Sequence, residues 1–387
     1  MATAVRRARM RTFDGILLAF CACVGLVVPQ GCRKSVEPSG KITVRIGAIL
    51  PMTGPAGQYG TWVQRGMEIG RIEVRRQYPD VQVDVTYEDS QADPKQAVSA
   101  FHKLALSHVD VVFAVTSGDS LAIAPLSTQY GIPIITGTLV PGITDKSPLL
   151  IRNGANMATK TQVMAQYLAS QDPKPKVAII YVNNDVGNFS QDNFRRLYEA
   201  EGGTVTGAEA YPPGATDFRS QLTRLAQASP DVLYFLSYSE WATIEKQARE
   251  LGMKCDFAGA TPTEDAKALG IAGDVANGTI YTRAAFDPNA VAPVLEEFQR
   301  QYRQKYGTTA EVWAATFRDN VLLVARAAAE GAKTDAALID KIVSFKTYQG
   351  ASGETEFLAN RDTNKPVSIF AIVQGKFQPL GRRNHGN

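Results

Sequence analysis

The sequence predicts an α/β protein with two lobes, each built around a mostly parallel sheet covered by helices. Three observations lead to this prediction. Short apolar or β-branched runs alternate with longer segments of helical periodicity, an order typical of parallel sheets with helices on both faces. The alternation reaches residue 135 and restarts near residue 160. The length of 387 residues corresponds to two domains of roughly 150 residues or more.

The first half alternates strand and helix. Strands are predicted where apolar and β-branched residues run together or alternate with polar ones, at 42–50, 81–87, 109–115 and 132–135. Helices are predicted where apolar residues recur every three to four positions, at 61–77, 94–107 and 119–130. The segment 51–60 is rich in glycine and proline and is predicted to be a loop.

The second half continues by the same criteria. Helices are predicted at 160–170, 191–201, 217–228, 242–251, 294–306, 312–330 and 334–344. Strands are predicted at 176–182, 204–211, 231–236, 257–260, 278–282, 367–373 and 376–378. Gln374-Gly375 is expected to turn the chain between the last two strands.

The N-terminus is predicted to be a signal peptide spanning residues 1–31. Basic residues at 6–11 precede an apolar run at 15–28, which is too short to cross about 30 Å of hydrocarbon as a helix. Gly31-Cys32 after this run resembles the processing site of bacterial lipoproteins, although Pro29 stands where leucine is usual. Cys32 is therefore interpreted as a lipidation site, with simple cleavage and an uncleaved anchor as alternatives. Residues 32–40 are expected to form a polar tether.

Charge and motifs exclude several classes of protein. The net charge of +3 is matched by four arginines and one aspartate in the first 31 residues, so the remainder is neutral, which argues against nucleic-acid binding. Cys255 is the only cysteine after Cys32, so disulfides are not expected. CxxC, HExxH, GxSxG and phosphate-loop motifs do not occur in the sequence. We therefore expect no metal, no cofactor, no catalytic residue and no enzymatic activity.

The loops after the predicted strands carry polar residues suited to a small ligand. Ligands of open parallel sheets bind beyond the carboxyl ends of the strands. Ser117-Gly118 lies at the start of a predicted helix, where free N–H groups favour an anion, although Ser117 or Asp119 could simply cap the helix. Tyr59 either closes a pocket or packs. The three tryptophans, Trp62, Trp241 and Trp313, are interpreted as packing residues.

From about residue 44 to residue 377 the chain resembles the type I periplasmic solute-binding proteins, in particular the branched-chain amino acid (leucine/isoleucine/valine) branch of ABC uptake systems. The resemblance lies in the shared order of several weak motifs: ILPMTGPAGQYG at 49–60, YEDS at 87–90, DPKQAV at 93–98, SGDSLAIAPLSTQYGIPIIT at 117–136, YVNNDVGN at 181–188 and GATDFRSQLTRLAQASPDVLYF at 214–235. It implies two Rossmann-like lobes joined by a three-stranded hinge that close on a ligand.

The resemblance also implies how the chain is divided between the lobes. Lobe 1 is expected to contain residues 41–155 and 283–344. Lobe 2 is expected to contain 156–282 and 345–380, and residues 381–387 are expected to form a tail. The implied partners are a small-molecule ligand and an ABC permease in the inner membrane, and the protein is expected to be a monomer in the periplasm or cell envelope, held to a membrane by the lipid on Cys32.

The resemblance also implies which residues bind the ligand, through the positions of this sequence that match the family's binding residues. Members that bind amino acids hold the ligand carboxylate on a serine and neighbouring N–H groups, which here correspond to Ser117 and Gly118. The same comparison implies ligand-binding roles at the following further positions: Tyr59, Thr138, Leu139, Val186, Tyr238, Thr261 and Arg318.

Three departures from the family pattern bear on the ligand. Thr261 stands near the position where amino-acid binders carry a carboxylate for the ligand ammonium, and Val140 replaces a threonine. Val186 replaces a common aromatic residue. Arg318 replaces a tyrosine near the hinge, where it could pair with an acidic ligand or with Asp319. The residues therefore favour a small carboxylate or amide with an apolar part, and an amino acid stays possible.

The predicted function is that of an extracytoplasmic solute-binding receptor of an ABC uptake system. The alternative is a periplasmic ligand sensor that feeds a chemoreceptor or kinase, since both functions use the same fold.

Overall fold

The computed structural model of the protein describes residues 41–54, 56–260 and 266–380. Its strands are β1 (Ile42–Leu50), β2 (Val81–Asp89), β3 (Val111–Ala114), β4 (Ile134–Thr136), β5 (Leu150–Arg152), β6 (Lys176–Val182), β7 (Thr204–Tyr211), β8 (Val232–Leu236), β9 (Asp256–Ala260), β10 (Ile280–Ala284), β11 (Thr347–Gly350), β12 (Gly353–Phe357), β13 (Thr363–Asn364), β14 (Val367–Val373) and β15 (Lys376–Pro379).

The helices fill the connections between these strands. They are α1 (Gly57–Gln77), α2 (Pro94–Leu106), α3 (Ser117–Tyr130), α4 (Met157–Ala169), α5 (Asp185–Ala200), α6 (Arg219–Ala226), α7 (Trp241–Glu250), α8 (Ala266–Ala272), α9 (Pro293–Tyr306), α10 (Val312–Ala329) and α11 (Asp335–Ser344). Short 3₁₀ turns occur at Ile143–Lys146 and Gly273–Ala276. None of the described helices is both long and apolar enough to cross a lipid bilayer.

The first lobe is built on a five-stranded parallel sheet with the order β2-β1-β3-β4-β5. Its central strands are buried on both faces, which explains why β3 reads as a continuous apolar run. Helices α1 and α10 pack closely together over this sheet. Gly66 of α1 permits the approach, because a Cβ at this position would lie 2.0 Å from the carbonyl oxygen of Ala314 in α10.

The second lobe is built on a seven-stranded sheet with the order β15-β14-β10-β9-β8-β6-β7. Strands β6 to β10 are parallel, and the C-terminal hairpin of β14 and β15 adds antiparallel strands beside β10. The predicted α/β class, with two lobes built on mostly parallel sheets, is therefore confirmed.

The last boundary between the lobes differs from the sequence-based expectation. A return to the second lobe at residue 345 was expected, but β11, β12 and β13 form a small antiparallel sheet that stays with the first lobe. Phe357 of β12 lies in the same hydrophobic core as β1 and α10, and Tyr348 packs against that core. The return occurs instead at residues 365–366, immediately before β14, because the apolar side chains of the small sheet are buried against the first lobe.

Three segments of chain cross between the lobes, at residues 153–156, 285–292 and 365–366. Hydrogen bonds join the first crossing to β13, directly before the third crossing, and join the second crossing to the third. Gly154 N donates to Thr363 Oγ1 at 3.2 Å, and Ala285 N donates to the Pro366 oxygen at 2.8 Å. These bonds hold the crossings side by side, as a hinge between two rigid lobes requires.

Glu245 on α7 is a fully buried carboxyl group of the second lobe. Thr279 Oγ1 donates to its Oε1 at 2.8 Å, and burial raises its pKa to about 8, against smaller lowering effects of Thr279 and Arg249. The folded state therefore keeps a proton that the unfolded chain has lost. We expect stability to fall with rising pH between about pH 5 and 8, by at most about 1.4 kcal/mol per pH unit, and then to level off.

Urea unfolding at several pH values tests this expectation. Glu245→Gln should flatten the slope between pH 5 and 8, since its amide does not titrate in that range. The exposed Glu250→Gln is the matched control on the same helix and should keep the wild-type slope. Equal slopes in Glu245→Gln and the wild-type protein would contradict the conclusion that the pKa of Glu245 is raised in the folded state.

Candidate ligand-binding cleft

The larger of two described cavities lies where the two lobes and the crossing segments meet. It encloses about 740 Å³, counting the space open to solvent at its mouth. Its walls come from α1 and the loops after β4 and β5, from α4 and β10, from the third crossing segment and from the start of α10. The lining residues are Tyr59, Trp62, Gly137, Leu139, Asn153, Gly154, Ala155, Lys160, Arg283, Ala284, Glu311, Val312, Trp313, Thr316 and Lys365.

A second, smaller cavity adjoins the first and belongs mainly to the second lobe. It encloses about 260 Å³ and is lined mainly by apolar residues from the carboxyl ends of β6, β8 and β9, the first turns of α4 and α5 and the loop after β4. Its lining residues are Leu139, Met157, Val182, Val186, Gly187, Ser190, Leu236, Ser237, Tyr238 and Ala260. Leu139 lines both cavities, so the two form one region between the lobes.

Ser117 is the first residue of α3, directly beyond the end of β3 and one residue after the helix cap. The cap is Thr116, whose Oγ1 accepts a hydrogen bond from Asp119 N at 3.2 Å. Neither Ser117 nor Asp119 is therefore the cap that the sequence suggested. Ser117 Oγ accepts from Thr138 Oγ1 at 3.0 Å and from Leu139 N at 3.4 Å. Ser117, Gly118 and Thr138 line neither described cavity, and Ser117 is connected to the lining only through its contact with Leu139.

The loop after β4 is held in place by its threonines. Thr136 Oγ1 accepts from Thr138 N at 3.0 Å, and Thr138 Oγ1 accepts from Val140 N at 3.2 Å. The side chain of Thr138 is buried, so its contribution to the cleft is to shape the backbone that carries Leu139. Gly118 is half-buried in the first turn of α3 and adds a helix N-terminal N–H group next to Ser117.

Tyr59 both packs and lines the large cavity. Its ring meets Trp62 edge-on at 5.4 Å and Trp313 edge-on at 5.8 Å between centroids. Trp62 and Trp313 pack against hydrophobic cores, as predicted, and also line the same cavity. The three rings give this cavity an aromatic wall. Trp241 is fully buried in the second-lobe core.

Val186 and Tyr238 lie on the smaller cavity, at the start of α5 and after β8. Burial raises the pKa of the Tyr238 phenol, although a hydrogen bond with Asn184 has the opposite effect. The phenol therefore stays protonated at neutral pH and can serve as a neutral hydrogen-bonding group.

The ligand role suggested for Arg318 is not supported by its position. Its guanidinium is buried and pairs with Glu73 of α1 and with Asp319, whose Oδ1 accepts from Nη1 at 2.7 Å. Arg318 does not line either described cavity. The structure agrees with the alternative expectation, in which Arg318 pairs with Asp319. Because Arg318 also pairs with Glu73, it links α10 to α1. Thr261 and Cys32 lie outside the described residues.

Sequence reasoning missed four charged residues that line the large cavity: Lys160, Arg283, Glu311 and Lys365. Lys160 and Lys365 are both nearly fully buried. Lys365 Nζ donates to Ser352 Oγ at 2.8 Å. Two opposing effects act on the Lys365 pKa: desolvation lowers it and the nearby Asp319 carboxylate raises it. Desolvation is the larger effect, and the pKa falls to about 8. These charges come from distant parts of the chain, so local pattern gave no signal that they meet.

Two α/β lobes, three bonded crossings and a cavity between the lobes define the class of two-lobe binding proteins. The chain belongs to the periplasmic binding protein family, whose model matches residues 43–379.

Individual relatives agree with this assignment. The chain is 25% identical over 348 residues to Leu/Ile/Val-binding protein homolog 3 of Brucella melitensis, covering 87% of this chain and 93% of the relative. The leucine-binding protein LivK of Thermotoga maritima has a similar structure, with a TM-score of 0.80 and 25% identity over 87% of this chain and 97% of that one. LivJ of Streptococcus pneumoniae, solved with isoleucine, gives 0.78 at the same identity and coverage.

Proposed function

We propose that this protein is an extracytoplasmic receptor that closes two lobes on a small amino acid, carboxylate or amide and delivers it to an ABC permease. The observation that carries the proposal is the large cavity, whose walls come from both lobes and from the crossing segments between them. A ligand held there contacts both lobes, so its binding free energy favours the closed state. The names of the relatives support the amino-acid option.

The site within this region combines polar and apolar parts. Ser117 and Gly118 offer donors at the start of α3. The side chains of Tyr59, Leu139 and Val186 offer apolar surface. Such a division suits a ligand with a small polar head and an apolar body.

Calorimetry with the purified protein tests the receptor function. Leucine, isoleucine, benzoate, hexanoate and benzamide cover the three proposed ligand classes. At least one class should bind, and small-angle scattering should show a smaller radius of gyration with the bound ligand. Turnover of a ligand, or no binding by any class, would contradict the proposal.

Ser117→Ala is expected to weaken ligand binding about tenfold or more, since it removes a hydroxyl that would donate to a charged group. The Kd measured by calorimetry reports the loss. Ser99→Ala is the control: Ser99 is exposed on α2, and its Oγ bonds only the Lys95 carbonyl among the described contacts. An unchanged Kd in Ser117→Ala would remove Ser117 from the site.

The anchor is a further part of the proposal. Lipidation at Cys32 would tether the receptor to a membrane next to its permease. Mass spectrometry of the protein from membranes should show an N-terminal peptide that begins at Cys32 and carries diacylglycerol. An N-terminus elsewhere, without lipid, would contradict the tether.

A further inference from the structure

The wall of the large cavity contains a buried carboxamide that is only partly hydrogen-bonded. Asn153 is the first residue of the first crossing segment and lines the cavity, and only 1% of its surface is exposed. Its Nδ2 donates to Asn320 Oδ1 at 2.6 Å, whereas its Oδ1 has no hydrogen-bond partner among the described residues. Because an amide oxygen can accept two hydrogen bonds, the acceptor capacity of this side chain is unused.

An unused acceptor at this degree of burial is uncommon in folded proteins. A buried polar atom without a partner is costly, because it loses its hydrogen bonds to water and gains none from the protein. When the atom belongs to a residue in a cavity wall, a donor on a ligand can supply the missing bond. Of the three proposed ligand classes, amino acids and amides carry N–H donors, and ionised carboxylates carry none.

Hydrogen bonds at both ends of the residue hold this amide in place. Asn153 N donates to the Thr136 carbonyl oxygen at 2.9 Å, which fixes the backbone beside the end of β4. The side chain is held by Asn320, a fully buried residue of α10 that lines neither described cavity. An acceptor that is already fixed before the ligand arrives loses little conformational freedom on binding.

The cavity wall beside Asn153 leaves space for a ligand. Gly154, the next residue, and Gly137, in the loop after β4, both line the cavity. Apart from its neighbours in the chain, a Cβ added to Gly154 would meet only the Gly137 oxygen, at 3.7 Å, among the described residues. A ligand can therefore approach this part of the wall closely, while Trp62 and Trp313 offer apolar surface to the rest of it.

We propose that Asn153 Oδ1 accepts a hydrogen bond from an N–H group of the ligand, so that the receptor selects amino acids or primary amides over carboxylates that lack this donor. The expected ligand has the N–H group at its polar end and an apolar body. This inference rests on the proposed receptor function and narrows its ligand class. Because Asn153 lies in a crossing segment, a ligand bonded to it is held next to the hinge.

Two matched ligand pairs test this preference in the wild-type protein. Leucine is compared with 4-methylpentanoate, which lacks only the α-ammonium group, and benzamide with acetophenone, in which a methyl group replaces the amide nitrogen. In each pair that binds, calorimetry should show about tenfold or more tighter binding of the compound with the N–H group. Equal affinities, or tighter binding of the compound without it, overturn the inference and leave the receptor function standing. Binding of none of the four contradicts both.

Variants of Asn153 separate its acceptor from its shape. Asn153→Leu has a similar size but no acceptor. It should reduce the preference for the N–H compound about tenfold and leave the Kd of the other compound within about threefold. Asn153→Asp keeps an acceptor and should keep the preference, because Asn320 Nδ2, which has no partner among the described residues, can turn to donate to it.

The control for these variants is Asn289→Leu, at an exposed position of the second crossing segment, which should behave like the wild-type protein. An undiminished preference in folded Asn153→Leu overturns the assignment. Equal losses of preference in Asn153→Leu and Asn153→Asp would assign the effect to packing and overturn it as well.

Discussion

Replacing Gly66 with alanine is expected to destabilise the protein by about 3 kcal/mol, because the new methyl group would occupy the space of the α10 backbone. The added Cβ would lie 2.0 Å from the Ala314 carbonyl oxygen and 2.6 Å from its carbon. Both atoms belong to the backbone of a buried helix, so no side-chain rotation relieves the overlap. Helices α1 and α10 must separate or shift along each other.

Urea unfolding of Gly66→Ala against the wild-type protein measures this loss. Gly270→Ala is the matched control, since Gly270 also lies in a helix, α8, but an added Cβ there meets nothing within 4 Å. The control should be neutral or stabilised by up to about 1 kcal/mol, owing to the better helix propensity of alanine. Comparable stabilities of the two variants would show that α1 and α10 do not need their close approach.

Asp319→Ala is expected to cost about 4 kcal/mol of stability, because it breaks a buried ionic cluster and leaves cations without their partner. Asp319 accepts hydrogen bonds from Arg318 Nη1 at 2.7 Å, Ala351 N at 3.0 Å, and Ser352 N and Oγ at 2.8 and 2.6 Å. It also provides a carboxylate near Lys365. Its loss releases the turn between β11 and β12 from α10.

Thermal and urea unfolding measure the effect of Asp319→Ala. The exposed Asp217→Ala removes a surface ion pair with Arg219 and should cost less than about 1 kcal/mol. An Asp319→Ala protein as stable as this control would mean that the cluster contributes little net free energy.

Most strands of the two large sheets could be predicted from sequence, because a strand that is buried on both faces is a nearly continuous run of apolar residues. The predicted bounds of β1, 42–50, and β6, 176–182, agree with the structure. In each strand the buried residues are apolar or glycine, and the exposed or partly exposed ones mark its edges or its wet face. The small sheet of β11 to β13 was missed, since its strands are short, polar and half-exposed.

Helix starts were less predictable, because their caps resemble loop residues. Helix α4 begins at Met157 after the Asn156 cap, and α5 begins at Asp185 after the Asn184 cap, several residues before the predicted starts. Gly187 inside α5 adds to the loop-like composition. The packing requires it, since a Cβ there would lie 1.8 Å from the Val182 oxygen.

The site could be predicted only where family resemblance supplied positions. Of the positions that the resemblance supplied, Tyr59, Leu139, Val186 and Tyr238 line the two described cavities, and their ligand-binding roles stay predictions. The environment of Arg318 could not be predicted, because its partner Glu73 is 245 positions away in sequence. Lys160, Arg283 and Lys365 could not be predicted as cavity-lining residues for the same reason, because they come from distant parts of the chain.

The division of each lobe among distant stretches of chain also governs when the protein can fold. Helix α10 packs against β1, β2 and α1, which were synthesised more than 200 residues earlier, and β10 gains its partner β14 only near the C-terminus. Neither hydrophobic core can close on a ribosome-bound chain that still lacks its last third. Such long-range contacts slow folding. Folding therefore follows synthesis, and in the interval chaperones meet an incompletely folded polypeptide.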